Sequence, residues 1–149
     1  MTKAAVLDTS LQKTHEWLHE IGRELGLDNE RAAYAALRAT LHAVRDRLPT
    51  ELVAHLGAEL PMLVRGIYYD GWHPSAVKLK AAHGEDFLNA MRRELRGHDE
   101  LQHVEKVAQT VLRFIDQRLE PGQVDRVLGA LPEQVRQLWQ DALQEEAAP

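Results

Sequence analysis

The chain has 149 residues, 44% of them hydrophobic and 28% charged, which suits one soluble domain, or two closely packed half-domains, with a true core. Its net charge of −5 is spread evenly: residues 1–72 carry 8 basic and 10 acidic side chains and residues 73–149 carry 10 and 13, so neither half offers nucleic acid a landing surface. With no cysteine there is no disulfide or thiolate metal site, and no apolar run suits a signal peptide or a membrane span; the expectation is a cytoplasmic protein that engages no membrane.

Every strong periodicity is helical. Residues 1–13 read as an amino-terminal arm, loose over Met1–Ser10. A first helical repeat follows over residues 14–72. Trp17, Leu18, Ile21 and Leu25 fall within an arc of about 100°, the apolar stripe of a first helix that Gly26 ends. Asp28 is placed to cap a second helix running to about Arg47, with Ala33, Leu37, Thr40, Leu41, Val44 and Leu48 inside. Its further alanines (Ala32, Ala35, Ala36, Ala39, Ala43) favour helix and permit close approach by neighbours. Pro49-Thr50 restarts the chain in a short third helix carrying Leu52, Val53 and Leu56. Leu60-Pro61 opens a fourth that ends near Asp70-Gly71.

Residues 73–84, with Pro, Ser and Gly, form a connector. A second repeat spans residues 85–144, with helices expected near 85–95, 99–118, 121–129 and 132–144, and residues 145–149 are a tail. No segment alternates as a strand would.

The two repeats align residue for residue. Glu16-Trp17-Leu18 falls on Asp86-Phe87-Leu88 and Glu24-Leu25 on Glu94-Leu95, an offset of 70. Arg47-Leu48, Leu60-Pro61, Val64-Arg65 and Tyr68 fall on Arg118-Leu119, Leu131-Pro132, Val135-Arg136 and Trp139, an offset of 71. One insertion reconciles the span. The pattern predicts an all-α fold of eight helices, arranged as two tandem four-helix units related by approximate twofold pseudo-symmetry.

Trp17-Leu18, then Arg45-Asp46-Arg47-Leu48-Pro49, then Leu60-Pro61-Met62-Leu63-Val64-Arg65-Gly66-Ile67-Tyr68 give a spaced set of motifs. In these the chain resembles the bacterial family known as domain of unknown function 2267, over roughly residues 14–143. The resemblance implies an all-helical fold and a bacterial source. It brings no activity and no catalytic residue.

His15-Glu16-Trp17-Leu18-His19 matches the H-E-x-x-H pattern of zinc proteases, in which two imidazoles share a helix face with a glutamate base. Helical phase turns His15 and His19 about 60° and 100° past the apolar stripe, toward solvent, and no third ligand is visible. They are at most weak surface metal candidates, and a zinc hydrolase is a remote alternative. The other histidines (His42, His55, His73, His83, His98, His103) read as solvated or capping. No catalytic set and no cofactor is implied.

Arg65 and Arg136 occupy the same repeat position. They read as structural ion pairs, with Glu24 and Glu94 as candidate partners, or else as a pair gripping an anion. On the fourth helix Leu60, Leu63, Val64, Ile67 and Tyr68 form the inner stripe. Met62 and Tyr69, flanked by Gly66 and Trp72, make a second apolar face where the other repeat has Glu133, Gln140, Gln137 and Leu143. A helix apolar all round is expected to be sandwiched between the two repeats; exposed, the same face would serve a partner.

The reading favoured is a non-catalytic helical module for protein–protein contact, with a protein partner or a homodimer. The alternative is a binder of an apolar small molecule in a cleft between the repeats, lined by Tyr34, Met62, Tyr68, Tyr69 and Trp72.

Overall fold

The computed structural model describes residues 3–74 and 86–147; most of the expected connector, from Ser75, lies outside the described residues. Among the described residues are eight α-helices: α1 (Ala5–Leu25), α2 (Glu30–Arg45), α3 (Thr50–Glu59), α4 (Met62–Tyr69), α5 (Phe87–Glu94), α6 (Val104–Arg118), α7 (Gln123–Ala130) and α8 (Glu133–Ala147). A 3-10 turn at Asp99–Leu101 precedes α6, and no strand occurs among these residues. The fold is all-α.

Boundaries differ from the sequence pattern in instructive places. The arm expected to be loose to Ser10 is helical from Ala5. Leu7, Leu11, Thr14, Leu18, Ile21 and Leu25 are spaced alternately four and three residues apart, so one stripe runs the whole helix. Asp8 in the first turn suits the positive end of the helix dipole, and the Thr14 hydroxyl donates to the Ser10 carbonyl at 2.8 Å. Gly26 closes α1 in the left-handed region (φ 71°), which lets the Leu27 N–H reach back to the Gly22 carbonyl. Asn29, not Asp28, caps α2, its side chain accepting from the Ala32 N–H at 2.7 Å. The single helix expected over 99–118 is broken: Leu101 is buried in the 3-10 turn, and His103 (ψ 72°) leaves helical geometry before α6 begins.

The centre of the molecule is α2. It packs against α1, α4, α5 and α6, and its alanines make that crowding possible: Ala32, Ala33, Ala36 and Ala39 are wholly buried beside Leu37, Leu41 and Val44. The two halves of the chain interlock. From the first, α1 lies on α6, with Trp17 edge-on to Phe114 and the Arg118 guanidinium 3.6 Å above the Phe114 ring and paired with Glu20. From the second, α5 lies on α2, and α3 meets α7.

Several hydrogen bonds recur 71 residues apart. The Leu60 and Leu131 N–H groups bond the carbonyls of Gly57 and Leu128. The Arg65 and Arg136 N–H groups bond those of Pro61 and Pro132.

One helix departs from expectation. Among the described residues the main neighbours of α4 are α1, α2 and α3, all from the first half of the chain, and none of these places it between the two halves. Leu60, Val64 and Tyr68 are buried as the inner stripe requires, Ile67 is half-buried, and Leu63 is exposed, because three neighbours cover only one side of an eight-residue helix.

Candidate functional site

The carboxyl-terminal half of α2 is buried all round over residues 39–45 and must satisfy its polar side chains internally; Arg38, His42 and Arg45 line one side there. His42 and Arg45 are almost inaccessible, at 6% and 4% exposure. His42 Nε2 lies 2.7 Å from the Ile67 carbonyl, which can only accept, so Nε2 carries a proton. Nδ1 lies 2.9 Å from the Glu94 carboxylate on α5. The ring thus bridges a carbonyl of α4 and a carboxylate of α5. Burial pushes the Glu94 carboxyl up, but the His42 hydrogen bond and the charges of His42, Arg38 and Arg45 outweigh it and hold Glu94 below the ordinary value of 4.5.

Arg38 joins Glu94 to Asp70, bonding Glu94 through one terminal nitrogen and Asp70, at 2.9 Å, through the other. The hydrogen bond from Arg38 also lowers Asp70, which is exposed to water. One α2 face therefore ties α5 to the end of α4.

That end explains why these donors are there. The chain leaves the helix at Asp70 and turns at Gly71 (φ 76°), so α4 stops with carbonyls that have no partner of their own. His42 takes Ile67, and Arg45 Nη1 takes Tyr68 and Asp70 at 2.8 and 2.9 Å. The Arg45 guanidinium at this helix carboxyl end also meets its negative dipole. In the second repeat α8 runs on to Ala147 and needs no such cap, and the aligned residues are Arg113 and Asp116.

The paired arginines bond main chain. Arg65 donates from Nε to Gly57 O (2.8 Å) and from Nη2 to Leu60 O (2.9 Å), closing the carboxyl end of α3. Arg136 Nη2 donates to Leu131 O at 3.2 Å, after α7. Glu94, considered as an arginine partner, is instead taken by Arg38 and His42, and Glu24 is exposed.

The second apolar face of α4 divides. Met62 and Gly66 are exposed, whereas Tyr69 and Trp72 are half-buried with ring centroids 5.6 Å apart and planes tilted by 45°, and Tyr69 sits against α3 at Gly57. The five residues expected to line one apolar cleft do not share it. Tyr68 is wholly buried, its hydroxyl donating to the Val53 carbonyl at 2.8 Å, and Tyr34 lies on a different groove.

His15 and His19 are both exposed. His15 Nδ1 meets Glu30 at 2.8 Å, and no group of three metal-ligating side chains occurs among the described residues.

Two surface features remain. The stripe of α1 continues beyond the body as Val6, Leu7 and Leu11, exposed at 64%, 59% and 49%. The connection through Gly26–Asn29 makes α1 and α2 antiparallel neighbours, and α1 has 21 residues to the 16 of α2. About 7 Å of α1 therefore extends past the end of α2. The second feature is a groove of about 350 Å³ between α2 and the end of α5, lined by Arg31, Tyr34, Ala35, Arg38, Glu94 and His98.

Interlocked helices around one alanine-rich helix, tied by a buried histidine–carboxylate–arginine cluster, define an all-α helical-bundle protein. The chain belongs to the family of uncharacterized conserved proteins DUF2267, which it matches over residues 14–138. The first nine residues of α1, Ala5–Lys13, precede that match. A search of curated proteins finds no match.

Proposed function

We propose that the chain is a non-catalytic helical module that acts through protein–protein contact, and that self-association through the amino-terminal part of α1 is its primary form. The supporting observation is the uncovered stripe. Leu7 and Leu11 continue the row in which Leu18 and Ile21 are buried, and Val6 widens it. A helix that presents the same apolar face beyond its own body has the form of a helix–helix docking element. Exposed Met62 and Leu63 on α4 add apolar surface elsewhere.

The absence of cysteine makes a direct test simple. Leu11→Cys places a single thiol on the stripe for a spin label, and Arg96→Cys places one on an exposed site elsewhere. Self-association through α1 gives a short intermolecular distance for the label at 11 and none for the label at 96. No intermolecular coupling at either position would count against the proposal.

A further inference from the structure

We propose that the groove between α2 and α5 binds a small organic carboxylate with a planar apolar body. Arg31, Tyr34, Ala35 and Arg38 lie one turn apart along a single face of α2, and Glu94 and His98 face them. A volume of about 350 Å³ falls within the range of small-ligand sites.

The roles within the groove differ. Arg38 is a fixed wall, held by Glu94 and Asp70; the Asp70 hydrogen bond raises its pKa despite burial, with the fields of Glu94 and Tyr34 adding to it. Glu94 is matched by Arg38 and His42, so it does not face the groove as a free anion. Arg31 has no hydrogen bond or ion pair with a described residue, which leaves its planar fork open to take both oxygens of a carboxylate. Tyr34, 40% exposed, supplies an aromatic face one turn away, and His98 adds a polar rim.

The second repeat provides an internal comparison. Gln102, Glu105, Lys106 and Gln109, each 71 residues on from Arg31, Tyr34, Ala35 and Arg38, also line a groove, beside Arg92 and His103. That groove forms with glutamine at both arginine positions and glutamate at the tyrosine position, with Gln102 lying just before α6 rather than on it. Helix packing does not demand the arginine–aromatic set. One open guanidinium beside one ring matches a monoanion with a flat body better than a bare polyanion.

The test titrates the labelled full chain with benzoate, inorganic phosphate and benzyl alcohol at constant ionic strength, following backbone amide shifts. Benzoate should saturate in the millimolar range, with shifts concentrated at residues 31–38 and 94–98. Phosphate, which lacks the ring, and benzyl alcohol, which lacks the charge, should each bind at least about fivefold more weakly. Arg31→Gln should weaken benzoate about fivefold or more with an unchanged melting curve, as expected for an exposed residue. No saturation by about 50 mM, saturation elsewhere on the protein, phosphate as tight as benzoate, or unchanged affinity in Arg31→Gln would each overturn the proposal.

Discussion

The ring of Tyr69 fills the space over Gly57: a Cβ on Gly57 would lie 2.5 Å from the Tyr69 hydroxyl oxygen and 2.8 Å from the ring carbon that bears it. The aligned pair in the second repeat is Leu128 and Gln140, the former half-buried and the latter exposed. Bulk sits on the fourth helix of one repeat and on the third helix of the other. The polar counterpart of Tyr69 is therefore one half of an exchange, and the cover over Tyr69 is internal.

Gly57→Leu alone should cost about 1–3 kcal/mol through overpacking against Tyr69. Tyr69→Gln alone should cost about 1–3 kcal/mol, because it strips a half-buried ring from a glycine. The double variant should be less destabilised than the sum by about 1 kcal/mol or more. Denaturant unfolding of the four proteins checks this; strict additivity would show that the two positions are not coupled.

Glu94 sets an acid dependence. Its carboxyl is held below 4.5 in the folded chain, so its contribution is fully present above that value. The contribution is lost as pH falls through the lower folded value, where the carboxyl takes up a proton. Melting temperature should therefore fall on acidification below about pH 4.5, and Glu94→Gln should flatten that fall while lowering stability at neutral pH. A wild-type acid limb retained in Glu94→Gln would place the acid sensitivity elsewhere.

Arg65 and Arg136 should differ in cost. Arg65 closes α3 through both Nε and Nη2, whereas Arg136 reaches Leu131 only through Nη2, and its buried Nε has no partner. Arg65→Met should cost about 1–3 kcal/mol and Arg136→Met about 1 kcal/mol or less. Equal losses in chemical unfolding would contradict that ranking.

The stripes of α1 and α2, the stop at Gly26 and the eight-helix plan were legible because each is a local period or a local backbone demand. The extension of α1 to Ala5 was legible in principle: Leu7 and Leu11 continue the four–three spacing. It read as an arm because the first residues of a chain are usually loosely held. The cluster was not legible. His42 and Glu94 are 52 residues apart; Glu94 stood out only as the counterpart of Glu24, and nothing local pairs it with His42, which it meets because α5 docks on α2. His42 and Arg45 are explained by where α4 stops, a fact about a different helix. Tyr69 was expected to pack between the repeats, not on α3, because its neighbour Gly57 has no side chain to announce a contact.

The most direct measurement is the mass in solution of the wild-type chain and of Leu7→Asp/Leu11→Asp, by light scattering across a concentration series, with melting curves alongside. Charge on the stripe abolishes a helix–helix seam but leaves the body untouched, since both leucines are exposed in the single chain. The expected result is a wild-type mass rising with concentration from 16.9 kDa toward twice that value. The variant should stay at monomer mass with stability within about 1 kcal/mol of wild type. A wild-type chain that is monomeric throughout, or a variant that keeps the larger mass, would contradict self-association through α1.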